Sequence, residues 1–229
     1  MDFTNKNLAV LFEWGDTTVY LTESILATWV VMGILFLLTI YVNIRIRMFK
    51  MVPKGFQNVI EYAVETMRNF AMDSLGAEFE PLHGYFFGVI TFLLFSNYSG
   101  MFGLRPPTSD VATTGALALI TFAMIHTLGI KKGFLAYLKS YIEPNIVFLP
   151  INIIGEFASP ISLALRLFGN ILSGVIIGGL VYNMLPMLLR FFFPTIIHAY
   201  FDVMSGALQA FVFTVLSMTY IRDKAGNDS

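Results

Sequence analysis

The 229 residues contain no cysteine, which excludes a disulfide framework, a thiolate metal site and a thiol nucleophile. Histidine is nearly as scarce. His83, His126 and His198 stand far apart and offer no metal-ligand spacing, so no metal is expected. Charge is thin as well, at 13% of residues against roughly 25% in soluble domains. The formal net charge is −1 with no basic block, and nothing recommends a nucleic-acid partner. A phosphate-cradling G-x-x-x-x-G-K loop is missing, so nucleotide chemistry and bound cofactors are not expected on this chain. Residues 1–23 carry Asp2, Glu13, Asp16 and Glu23 against one Lys6, the wrong chemistry for a cleaved signal peptide. No internal repeat is evident.

What is present is apolar. Hydrophobic residues make up 56% of the chain and the mean hydropathy is +0.72. The expected fold is therefore an all-α integral membrane protein, a single membrane domain over 1–229. Spans of about twenty residues are predicted at Ser24–Val42, His83–Leu104 and Val111–Ile130, in a long segment Asn145–Val181, and in a last helix from about Thr195 to Ile221. That makes five crossings. Between the first two, residues 54–75 place Phe56, Val59, Ile60, Ala63, Val64, Met67 and Phe70 opposite Lys54, Asn58, Glu61, Glu65 and Arg68. This pattern reads as an amphipathic helix on the membrane surface or against a partner. Asp110, after Arg105-Pro106-Pro107, is placed to cap the third span.

Lysine and arginine set the expected orientation. The flanks at 45–68, 131–139 and 222–224 hold five, three and two of them, while the opposite side holds Lys6, Arg105 and Arg190. By the positive-inside rule the amino terminus, residues 1–23, lies outside and the carboxyl terminus is cytoplasmic. The 37 residues from Asn145 to Val181 would extend roughly 55 Å as one helix. They are expected to tilt strongly or kink at Pro150 or Pro160. Residues 145–221 are thus expected to form a long, tilted helix pair.

One arginine, Arg166, sits inside that long apolar run. Its guanidinium stays protonated, and a charge at membrane depth costs about 2.5–3.5 kcal/mol on insertion scales. Ser159, Ser162, Arg166, Asn170 and Ser173 fall on one helical face, with Gly169 and Gly174 beside them. The last helix has a polar face of its own: His198, Asp202, Ser205 and Gln209, at spacings of four, three and four. Such a face suits a proton or cation relay; the alternative is hydrogen-bonded glue between helices. Antiparallel packing would bring Gln209 toward Arg166.

The run Pro160-Ile161-Ser162-Leu163-Ala164-Leu165-Arg166-Leu167-Phe168-Gly169-Asn170 closely resembles the signature of subunit a of the F-type ATP synthase. Asn97, Pro107 through Thr114 with Asp110, Gly129 through Gly133, and Leu208-Gln209-Ala210-Phe211 add to the resemblance. It implies a non-catalytic, ion-translocating stator in a bacterial plasma membrane, forming two half-channels against a c-subunit ring. Further implied partners are the peripheral-stalk b subunits, the remainder of the ATP synthase and the lipid bilayer. The resemblance assigns ion translocation to Arg166, Asn170, Asp202, Gln209, Glu156, Ser205 and His198, with Glu156 on the inner access path. Asn97 and Asp110 belong to a possible outer access path. Val175 stands where some family members carry Glu or His, and Asp202 where many carry His or Glu. The coupling ion, H⁺ or Na⁺, stays open because the binding carboxylate would belong to the ring. A secondary ion transporter is the competing reading, but repeat symmetry is missing.

Overall fold

Asn7–Trp14 and Thr17–Thr22 pair as an antiparallel hairpin, β1 and β2, ahead of the first helix. The computed structural model describes residues 7–14, 17–142, 145–184, 186 and 199–225. Thr22 closes the hairpin and caps α1 (Glu23–Ile46), its hydroxyl accepting from the Ile25 N–H. α2 follows (Phe56–Leu75). It ends where Gly76 adopts φ 97° and donates its N–H to the Met72 carbonyl at 2.9 Å, a backbone angle that favours glycine. α3 (His83–Tyr98), α4 (Val111–Lys132), α5 (Phe134–Ile142) and α6 (Leu149–Met184) come next. Ala199–Ser205 is wound as a π-helix and leads directly into α7 (Gly206–Ala225).

Among the described residues, five helical stretches are long and apolar enough to cross a membrane: Glu23–Ile46, Ala77–Phe102, Val111–Lys132, Ile146–Val181 and Val203–Ala225. The expected all-α integral membrane fold with five spans is borne out. The hairpin and α5 were not foreseen. The start of the last span, with Thr195 to His198, lies outside the described residues.

α6 is continuous over 36 residues. Pro150 occupies its second position, where a missing N–H leaves no intrahelical bond unmade. Pro160 is interior, so the Glu156 carbonyl one turn back loses its usual donor. Ser159 donates its hydroxyl to the Gly155 carbonyl at 3.0 Å beside this break.

The described chain groups into two compact units. The first draws on Met1–Met48, Thr91–Thr113 and Leu167–Ala210. Its buried residues include Ala27 and Val31 of α1, Leu93, Ser96 and Asn97 of α3, and Leu167 and Ile171 of α6. The second draws on Phe49–Ile90, Thr114–Arg166 and Phe211–Ser229. Met67, Ala71 and Leu75 pack there with Phe86, Ile125, Met218 and Ile221, and Phe70 stacks on Phe211 at 5.4 Å. The buried apolar residues of α2, Met67, Ala71 and Leu75, lie in its carboxyl-terminal half, whereas Phe56, Val59 and Val64 in its first half are exposed.

Candidate functional site

In the first unit Asn97 is the most enclosed polar side chain among the described candidates, 1% exposed. It donates from Nδ2 to the Gly206 carbonyl at 2.8 Å and accepts at Oδ1 from the Thr108 hydroxyl at 2.7 Å. α3, the turn before α4 and the start of α7 are tied together by this one amide. Gly206 has to be small here, since a Cβ would sit 2.9 Å from the Asn97 Cβ. Asp110 accepts at Oδ1 from the Ala112 N–H at 2.9 Å and so caps α4 as its position predicts.

The same unit joins the two polar faces. Ser205 donates its hydroxyl to Asn170 Oδ1 at 2.6 Å, linking the π-helix to α6 one turn beyond Arg166. The Asn170 Nδ2 and Gln209 Nε2 atoms are buried and, among the described residues, have no hydrogen-bond partner. Buried amide donors of this kind are costly unless something binds to them. The Asp202 and Val175 side chains and all of His198 lie outside the described residues.

The second unit holds Glu156 and Arg166. Glu156 Oε2 lies 2.9 Å from Lys224 Nζ of α7, and Oε1 is 3.9 Å from His126 Nδ1 of α4. His126 Nδ1 is 2.6 Å from the Tyr137 hydroxyl, which lies 2.5 Å from that of Tyr141 on α5. Burial above all, reinforced by the Tyr137 hydrogen bond and the Glu156 charge, raises the Tyr141 phenol well above its ordinary value. It stays protonated. This cluster borders a cavity of ≈390 Å³ whose lining includes Asn152, Ser159, Asp223 and the Glu156–Lys224 pair. Sequence reasoning missed Lys224, His126 and the two tyrosines, which come together from three separate helices.

Arg166 is exposed, as are its neighbours Ile161, Ser162 and Leu165. Among the described residues no carboxylate lies within 4 Å of its guanidinium, and Glu156 is taken up by Lys224.

The profile of the family described as ATP synthase A chain matches residues 25–222. The chain belongs to this family. It is 35% identical over 220 residues to "ATP synthase subunit a 2" of a Bradyrhizobium species, covering 95% of this chain and 94% of that one. With "ATP synthase subunit a 2" of Acaryochloris marina it shares 32% identity over 214 residues, 93% and 88% of the two chains. With "ATP synthase subunit a" of Moorella thermoacetica it shares 35% over 216 residues, 92% and 93%. As a member of the subunit a family it is a multi-pass, non-catalytic membrane subunit of an ATP synthase.

Proposed function

We propose that this subunit a is the ion-translocating stator of a rotary F-type ATP synthase, forming two offset half-channels against a c-subunit ring. The observation that carries the reading is Arg166: exposed on α6, flanked by apolar side chains, and paired with no carboxylate among the described residues. A ring carboxylate passing this face would meet a permanent cation. Before it gets there, a cation from the outer half-channel neutralises it; after a near-complete turn, the cation leaves by the inner one. Arg166 attracts the ionised carboxylate, promotes release of the ion, and opposes direct leakage between the half-channels. One charge falling through 100 mV supplies about 2.3 kcal/mol for the motion.

The outer route runs past Asp202, His198, Ser205, Asn170 and Gln209. The unpartnered Asn170 and Gln209 amide donors support this assignment, because water in a route would satisfy them. Asn97 holds the wall of that route and Asp110 its entrance. The inner route uses the ≈390 Å³ cavity and Glu156. The peripheral-stalk b subunits hold the chain still against the ring. Residues 1–229 act as one membrane domain, with 145–221 as the tilted helix pair along the path, in a bacterial plasma membrane.

Two experiments test this. Asp202→Ala and Gln209→Ala complexes are expected to assemble yet lose most ion-driven ATP synthesis in vesicles; parental rates in both assembled variants would make these groups structural glue. Orientation is testable because the chain has no cysteine of its own. Lys6→Cys is expected to react with an impermeant maleimide from outside the cell and Arg222→Cys only from within. Labelling of both from the same side would rule out the odd number of crossings.

A further inference from the structure

Lys224 is the last basic residue of the chain, in the final turn of α7, and its ammonium has two seats. One is the Glu156 carboxylate at 2.9 Å; the other is the face of the Tyr141 ring, 4.2 Å from its centroid. The second seat is held firmly. Tyr141 bonds through its hydroxyl to Tyr137, and its carbonyl accepts from Asn152 Nδ2 at 2.8 Å. Tyr137 in turn bonds to His126 and lies so close to Gly129 that a Cβ there would meet its ring at 2.9 Å. Lysine is a compact charge on a flexible stem, so it can leave the carboxylate and remain over the ring, where a cation is still attracted.

Glu156 is not sealed in a core. It and Lys224 keep 14% and 20% of their side-chain surface exposed, and both line the cavity. The other titratable groups around them are His126, Tyr137, Tyr141, Asp223 and Tyr220. We propose that Lys224 is a positioning residue for ion passage: its ammonium occupies Glu156 as a tethered surrogate cation, which the travelling ion displaces onto the Tyr141 face. The inference rests on the cavity being the inner end of the path. A bare carboxylate there would hold an arriving cation and delay its departure. Competition from Lys224 weakens the site and keeps the ion moving.

The test uses the whole complex in vesicles, pumping at the expense of ATP, so that the ion enters from the nucleotide side. Na⁺ is titrated there at fixed pH, and pH at fixed Na⁺. Lys224→Gln is expected to lower the half-saturating concentration of the coupling ion about tenfold, the equivalent of about 1.4 kcal/mol, and to lower the maximal rate as well. Lys224→Arg, with a fork that grips a carboxylate in two places, is expected to raise it. In a Glu156→Gln complex, adding Lys224→Gln is expected to shift nothing further. A merely structural ion pair would change assembly or maximal rate and leave half-saturation alone. If Glu156→Gln alters half-saturation but Lys224→Gln does not, the surrogate is overturned and the inner path survives. If Glu156→Gln alters neither quantity, the inner path falls. Should Lys224→Gln fail to assemble, Lys224→Arg decides, and a half-saturation at or below the parental value overturns the proposal.

Discussion

Replacing Arg166 by alanine is expected to abolish ion-driven ATP synthesis while the complex still assembles, and to make vesicles carrying stator and ring leak the coupling ion. Arg166 is exposed and ion-pairs with no carboxylate among the described residues, so among them its removal leaves no buried acid behind. Glu156, ten residues earlier and roughly 15 Å along the helix, keeps Lys224. What is lost is the attraction on a partner's carboxylate. A charge-assisted contact contributes about 1.5–3 kcal/mol, so the lost attraction alone corresponds to a factor of roughly ten to a hundred and fifty, and the ion leak removes the coupling that is left. Arg166→Lys keeps a charge but lacks the planar fork and deprotonates more readily when desolvated; it should stay severely impaired. The readouts are assembly, synthesis and ion leak on one preparation. Normal synthesis in assembled Arg166→Ala, or failure to assemble, would sink the gate.

Asn97→Leu is expected to have the largest effect on stability. A hydrogen bond between membrane helices is worth on average only about 0.6 kcal/mol, which taken alone gives a small loss. Two features argue for more. Asn97 serves two partners, and both are fully enclosed, Thr108 at 0% exposure and Gly206 buried beside it. Removing the amide orphans the Thr108 hydroxyl, at about 1–3 kcal/mol, and takes a second bond from the Gly206 carbonyl. Thermal unfolding of the purified subunit should therefore shift down by several degrees. Thr108→Val in the same chain should recover part of the loss, because one orphan disappears with its partner. A melting temperature within one degree of the parent would show that these groups find water instead.

Much of this arrangement could be read directly from the residues. Long apolar stretches declare themselves because the bilayer demands about twenty such residues, and Asp110 caps α4 through a contact two residues long. The hairpin escaped notice for a different reason. Alternation of Leu8, Val10 and Phe12, then Val19 and Leu21, across Gly15-Asp16 is a hairpin signal, but it is short and adjoins a stretch read only for its acidic charge. α5 was hidden by its nine residues. The Glu156–Lys224 pair joins residues 68 positions apart on two helices, and no local periodicity carries such information. Nor did the polar stripe around Arg166 disclose that its arginine is exposed while Asn170, one turn on, is partly enclosed. The stripe fixed a face of the helix, but which neighbour covers it depends on packing.

The π-helix at Ala199–Ser205 bears on how this part of the gene can change. A π turn accommodates one residue more than an α turn, since its bonds run from i to i+5. Deleting a single codon there would let the backbone tighten into α-helix and absorb the lost residue within the turn, so the side chains from Gly206 to Ala225 would keep their faces. The same deletion inside α7, where the winding is regular, would turn the two sides of the cut against each other by about 100°. The segment is therefore more forgiving of length than the helix that follows it.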